Sequence, residues 1–479
     1  MQPSRSLFEV AGNAALRSAV LPRRRTRPAD PPDVTLINLN LMLVNAGWYY
    51  DEENYIPLGL LYIAGHLERQ GFNVELVDYQ VWKDCRRFDR EGFVRALGEL
   101  PKVVGISCMS NLLPFAILVA EELKQRHPDC TVVLGGVGPA PVAGEIAKAF
   151  PWVDIVVDGE GELCMEDILR GNRERLPARK QAGDLDSLPL PAYGLLELPL
   201  YIPSRSMITS RGCPWKCTFC TEPDNFGKVR FRSVESIVEE IELLHRLHDH
   251  GTFLFQDDIL PLHKKRFRQL LKAFRELSFP IKWKCFSRVD LMDEALMQVM
   301  VESGCVQIRY GIESGSNRTL EEIRKGFTIE KAYEVTALST RHFPSVHASF
   351  IWGYPFEDVA SFEETLHWVE KFDAAGATVL LFEYSPLPGS ALYRQHRQGL
   401  RFSRKSYSIF IVTGHEIVNG DGSFHVRNTW ERMYQLIEQH PNVFPGFYHY
   451  ESAELLQMKQ RIERYHQLRR TPARNAHDG

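Results

Sequence analysis

The sequence predicts an α/β protein in which two βα units follow one another, with a small, mostly helical segment behind them. Three observations carry this. Residues 34–165 and 203–400 each alternate short apolar runs with segments whose apolar residues recur at helical spacing, the pattern of parallel strands joined by helices. Residues 166–202 interrupt it: 170–179 is charged and 185–193 is rich in proline and leucine, the composition of an extended linker. Residues 401–479 do not continue the alternation.

The first unit opens with an apolar run at 34–39. Residues 58–70 read as a helix stopped by Gly71, and 74–78 as the second strand. A third strand at 103–107 leads into a helix reaching Lys124. A fourth at 131–134 runs into Gly135-Gly136, and a fifth at 154–157 into Asp158-Gly159-Glu160-Gly161-Glu162. In such sheets ligands bind beyond the carboxyl ends of the strands. Those ends hold Ser107, the turn at 135–138 and the turn of Gly159, Glu160 and Gly161. Glycine there lets backbone approach a bulky ligand. By itself the topology is flavodoxin-like and carries no function.

The second unit contains Cys213, Cys217 and Cys220 at C-x3-C-x2-C spacing, with Phe219 just before the last cysteine. A [4Fe–4S] cluster normally takes four thiolates, so three leave one iron with an open coordination site. A zinc site would want a fourth Cys or His at short spacing, and none follows closely. Ser233 is suited to cap a helix on which Val234, Ile237, Val238, Ile241 and Leu244 share a face. The strand at 252–255 delivers Asp257 and Asp258. Strands at 281–285, 306–310, 347–352 and 378–382 follow. With one ahead of the cysteine loop the count is six, too few for a closed eight-fold barrel. Polar turns end them: Ser287-Arg288, Gly311-Ile312-Glu313-Ser314-Gly315, Gly353-Tyr354-Pro355-Phe356-Glu357 and Pro386-Leu387-Pro388-Gly389-Ser390.

The chain has 479 residues and a formal net charge of −4, which fits about three domains and does not favour a nucleic-acid partner. No apolar run has the length of a membrane span. Nine cysteines, scattered except for the triplet, are no disulfide framework and fit a reducing cytoplasm. Residues 1–33, arginine-rich and ending in prolines, are expected to be a disordered tail.

On these motifs the chain resembles the radical S-adenosylmethionine (SAM) enzymes that carry a cobalamin-binding domain in front. Pro57-Leu58-Gly59-Leu60-Leu61-Tyr62, Ser107, Gly135-Gly136 and the Gly159–Gly161 turn match that domain in order. The D-x-H-x-x-G signature, whose His ligates cobalt, is absent. The resemblance covers roughly residues 34–400. It implies a cobalamin-binding domain at 34–165, a linker at 166–202 and a partial (β/α)6 barrel at 203–400 that binds a [4Fe–4S] cluster through Cys213, Cys217 and Cys220. It further implies SAM contacts from Phe219, Asp257 and Asp258 (ammonium), Ser287 and Arg288 (carboxylate) and Glu313. It implies cobalamin contacts from Ser107, Gly135, Gly136, Gly159, Glu160 and Gly161.

The implied activity is methylation of an unactivated carbon on a small-molecule substrate, through a 5′-deoxyadenosyl radical and methylcobalamin. Flavodoxin or ferredoxin is the implied electron donor. Ring formation or rearrangement without methyl transfer is the alternative; a non-enzymatic sensor would not need SAM clamps. In the tail, 415–425 reads as a hairpin around Asn419-Gly420-Asp421-Gly422 and Trp430, Met433, Leu436 and Ile437 as a helix. The aromatic cluster at 445–450 is expected to pack a small cap onto the barrel, and residues 461–474 to be helical, then frayed. Substrate selection is expected from this region.

Overall fold

The computed structural model describes residues 23–40, 42–45, 50–82, 89–221, 226–248, 251–402 and 428–470. The expected hairpin at 415–425 lies outside them, as does Cys85.

In the first unit the strands are β1 (Arg23–Arg25), β2 (Val34–Asn38), β3 (Met42–Asn45), β4 (Tyr50–Glu53), β5 (Val74–Asp78), β6 (Val103–Ser107), β7 (Thr131–Gly135) and β8 (Ile155–Val156). β3 and β4 form a separate antiparallel hairpin. The others make one sheet in the order β1-β5-β2-β6-β7-β8, parallel except for β1. β2 and β5 are buried along their whole length, as expected of parallel strands covered on both faces. Chain order reverses between β2 and β6, and ligands bind such sheets at that switch point.

The expected disorder of residues 1–33 needs correcting at its end. Residues 23–25 lie antiparallel on β5, where Arg25 Nε donates to Glu75 Oε1 at 2.9 Å. The Asn73 amide donates to the carbonyls of Arg27, Asp30 and Pro31. A charged strand covering an edge also discourages pairing with other chains. The unit's last helix, Gly161–Leu169, runs past residue 165. The linker behind it is firmly held: Tyr201 Oη donates to the buried Asp78 at 2.8 Å, and Ala192 N to Leu61 O at 3.0 Å.

The second unit begins with β9 (Arg205–Met207), β10 (Ser210–Arg211) and β11 (Arg230–Phe231), followed by β12 (Thr252–Phe255), β13 (Lys282–Ser287), β14 (Cys305–Glu313), β15 (Ser345–Trp352) and β16 (Thr378–Glu383). Six of them form a parallel sheet in strict sequence order, β9-β12-β13-β14-β15-β16. β9 and β16 do not pair, so the barrel is open. β15 alternates buried and half-buried residues. Val346, Ala348, Phe350 and Trp352 pack away from solvent, while His347 and Ser349 lie on the other face. β10 and β11 pair antiparallel and close the base of the cysteine loop.

The C-terminal segment is not a cap on the barrel alone. The helix Asn428–Gln439 places Met433, Leu436 and Ile437, with Val443, Phe444 and Phe447 after it, in the apolar core of the first unit. Tyr450 and the next helix, Ala453–Arg470, pack on the barrel, where Tyr450 stacks on Tyr384 and Leu455 and Met458 meet Trp352 and Phe362. Apolar complementarity, not chain proximity, decides where each docks.

Candidate active site

The cysteine loop is pinned at both ends. Gly212 has φ +92°, a conformation glycine adopts without strain. Thr218 N donates to Ile323 O at 3.1 Å, and Leu392 N to Thr218 O at 2.8 Å. Cys213, Cys217 and Cys220 are half-buried and line one cavity of about 410 Å³ at the carboxyl ends of the barrel strands, with Phe219, Asp258, Ser287, Arg288 and Glu313. Among the described residues, no three Cys, His, Asp or Glu side chains converge as the ligands of a single metal ion would. Thiolates of a four-iron cluster bind separate irons, so spread thiols in a shared cavity suit a cluster better than zinc.

The two aspartates after β12 part company. Asp257 is buried and accepts from Thr209 N and Oγ1 and from Ser210 Oγ. Its expected role toward an ammonium is therefore corrected: it ties β10 to β12. Asp258 faces the cavity, and burial, then the charge of Asp257, push its carboxyl up to about 6. The Arg288 fork is also largely used. Nε and Nη2 hold Asp290 at 2.9 and 3.0 Å, Nη2 reaches Lys325 O at 2.5 Å, and the guanidinium lies over Trp215. Ser287 Oγ donates to Arg288 O at 3.3 Å. Glu313 sits at φ +76°, rare for a residue with a side chain, and pairs with Lys325 Nζ at 3.4 Å. Burial raises its carboxyl, and Lys325 lowers it. The sequence reading missed Trp215 and Lys325; neither belongs to a turn motif.

A second cavity, about 340 Å³, lies between the units. Ser107, Gly135, Gly136, Gly159, Glu160 and Gly161 all line it, as do Gly59 and Tyr62 from the helix Leu58–Arg69. A Cβ on Gly59 would meet no protein atom within 4 Å, so the cavity is roomy where that glycine stands. The barrel contributes Ser210, Arg211, Gly212 and Asp258. Asp258 thus borders both cavities. Glu160 is not free for a ligand: it accepts from Arg230 Nη2 at 2.5 Å, Arg211 Nη1 at 3.2 Å and Ala182 N at 2.8 Å. Burial alone would raise its carboxyl, but Arg230 and Arg211 hold it below the ordinary range. The crevice lies at the switch point of the first sheet, and its glycine lining leaves room for a ligand there.

Fold and site define a corrinoid-type domain feeding a radical SAM barrel. The profile of the radical SAM superfamily matches residues 207–369, and that of the B12 binding domain residues 52–169. An uncharacterised methyltransferase of Pyrococcus horikoshii is 31% identical over 363 residues, covering 70% of this chain and 77% of its own. The cytidylyl-2-hydroxyethylphosphonate methyltransferase of Streptomyces wedmorensis is 28% identical over 476 residues, 82% and 87% of the two chains. The solved structure of TsrM from Kitasatospora setae, a radical SAM methyltransferase with cobalamin and a [4Fe–4S] cluster bound, superposes with TM-score 0.63 at 16% identity over 87% of this chain and 89% of that one. The chain belongs to the radical SAM enzymes with a B12-binding domain, whose cofactors are a [4Fe–4S] cluster, SAM and cobalamin. Among the described residues no helix is long and apolar enough to cross a membrane.

Proposed function

We propose that the protein methylates a small-molecule substrate at an unactivated carbon. When bound, SAM at the cluster supplies a hydrogen-abstracting radical and the corrinoid supplies the methyl group. The observation that carries the reading is Asp258, which borders both the cysteine-lined cavity and the glycine-lined one. A substrate between them is within reach of both reactive groups, which proximity catalysis requires.

Cys213, Cys217 and Cys220 hold the cluster. Asp258 accepts the ammonium of SAM, a group that offers only donors, and Phe219 lines the same cavity. Asp257 and Arg288 act one step back, the first anchoring the loop and the second orienting Asp290 and the 325 carbonyl. Ser107, Gly59, Gly135, Gly136 and the Gly159–Gly161 turn shape the corrinoid crevice, while Glu160 secures the domain junction. Flavodoxin or ferredoxin is the proposed electron donor and the cytoplasm the proposed location. Likeness to the anaerobic magnesium-protoporphyrin IX monomethyl ester cyclase of Rubrivivax gelatinosus, 26% identical over 373 residues, favours ring formation as a second reading.

The test is anaerobic purification, reconstitution with iron, sulfide and cobalamin, and turnover with methyl-labelled SAM. Label in a product supports methyl transfer. SAM cleavage with a mass change other than one methyl supports the second reading.

A further inference from the structure

Below the strand ends, the lumen of the open barrel contains an arginine with no acidic partner. Arg309 is central in β14 and lines the cysteine cavity. Among the described residues it forms no ion pair, and its Nε is buried without a hydrogen-bond partner. The Phe286 ring, its register neighbour on β13, lies 5.6 Å from the guanidinium carbon and orients it. The residue as a whole is half-buried, but this shut-off donor finds no acceptor among the described residues, which is unfavourable, and an anion entering the cavity would supply one.

A second donor stands beside it. His347 is the register partner of Arg309 on β15 and lines the same cavity. His347 Nε2 lies 2.6 Å from the Gln307 side-chain amide and 3.2 Å from Ser345 Oγ; in the tautomer that accepts there the ring proton sits on Nδ1, which is buried without a partner. Burial, then Arg309, then Lys284 push the imidazole down to about 4, so it stays neutral and, in that tautomer, donates without adding charge. Lys284 stands opposite Gln307 on β13. The acids near the cavity are engaged or distant: Glu313 is paired with Lys325, and Asp258 lies beyond the strand end.

We propose that Arg309 and His347 form a substrate subsite for an oxyanion, the carboxylate, phosphonate or phosphate of the molecule to be methylated. The inference rests on the methyltransferase reading for calling that molecule the substrate; the anion site itself stands on this geometry. Arg309 precedes Glu313 by four residues on one strand, roughly 13 Å at strand rise. The anion is therefore anchored deep in the lumen and the reacting carbon is held toward the strand ends. The substrate class is an extended anion that reacts far from its charge.

The experiment titrates the reconstituted full chain with methylphosphonate, inorganic phosphate and acetate, and with choline as a cation, following ligand line broadening by NMR. At least one oxyanion should bind and choline should not. The preferred anion separates tetrahedral from carboxylate substrates. Arg309→Met should weaken that anion at least tenfold, Arg309→Lys should restore part of the affinity, and His347→Leu should weaken it less. SAM affinity should equal the parent's in all three. Equal anion binding in parent and Arg309→Met overturns the subsite. So does a parallel loss of SAM affinity, which would assign the guanidinium to SAM. Failure to transfer methyl leaves the anion titration intact, so the two readings fail separately.

Discussion

Arg211 Nη2 lies 2.6 Å from Glu162 Oε1, bringing a residue two positions before the first cluster cysteine onto the closing turn of the corrinoid domain. Its Nη1 reaches Glu160, which Arg230 also holds, and its guanidinium lies over the Tyr62 ring. Arg211, Arg230, Glu160 and Glu162 are nearly shut off from water. Removing one partner of a buried pair leaves an uncompensated charge, at about 3–5 kcal/mol. Arg211→Met should lower the urea midpoint accordingly and loosen cobalamin retention on gel filtration. An unchanged midpoint would show that the network does not join the units.

Cys213→Ala, Cys217→Ala and Cys220→Ala should each abolish the iron–sulfur absorbance and SAM cleavage. Cys130→Ala removes a buried thiol of the first unit and should leave both. Full iron content in Cys217→Ala would defeat the ligand assignment.

Asp258 and Asp257 should give different phenotypes. Asp258→Asn removes a charge-assisted contact worth roughly 1.5–3 kcal/mol, so SAM should bind about ten- to a hundredfold more weakly with the fold intact. Asp257→Asn should cost stability instead, since it disturbs three bonds to Thr209 and Ser210.

The pH dependence follows from the same residue. A carboxyl raised to about 6 is ionised above that pH and neutral below it. SAM affinity in the parent should fall as pH drops through about 6, and Asp258→Asn should flatten the profile. Equilibrium dialysis of SAM against the reconstituted protein reads this directly.

For cobalamin, Gly59 is the informative glycine. Gly136 has φ +100°, and a Cβ there would lie 2.9 Å from Cys108 O and from Ser107 Oγ, so a substitution breaks the turn. Gly59→Phe fills open space instead and should abolish cobalamin binding while sparing the cluster. Bound Co(II) should show no protein nitrogen splitting in electron paramagnetic resonance, because the D-x-H-x-x-G signature is absent and, among the described residues, no histidine lines the crevice. An imidazole splitting would identify a ligand from elsewhere.

Both sheets and the cysteine triplet were legible in the sequence because each rests on local pattern. Strand runs, glycine turns and three thiols within eight positions need no knowledge of the tertiary structure. What failed was decided at longer range. Asp257 and Asp258 are identical in type and adjacent, and only the position of Thr209 and Ser210 turns one inward. Glu160 reads as a ligand contact until Arg211 and Arg230 arrive from 51 and 70 positions away. Arg309 sits in an ordinary alternating strand, where only the absence of a partner distinguishes it.

The return of the helix Asn428–Gln439 to the first unit ties the chain into a closed circuit. The corrinoid domain is not a cassette. A piece cut after Leu169 would lack Met433, Leu436, Ile437, Phe444 and Phe447 and expose the apolar ground they cover. Limited proteolysis between the units should leave fragments that stay together until denaturant is added. Exchanging this domain with a relative's transplants half a hydrophobic core unless the distant helix travels with it.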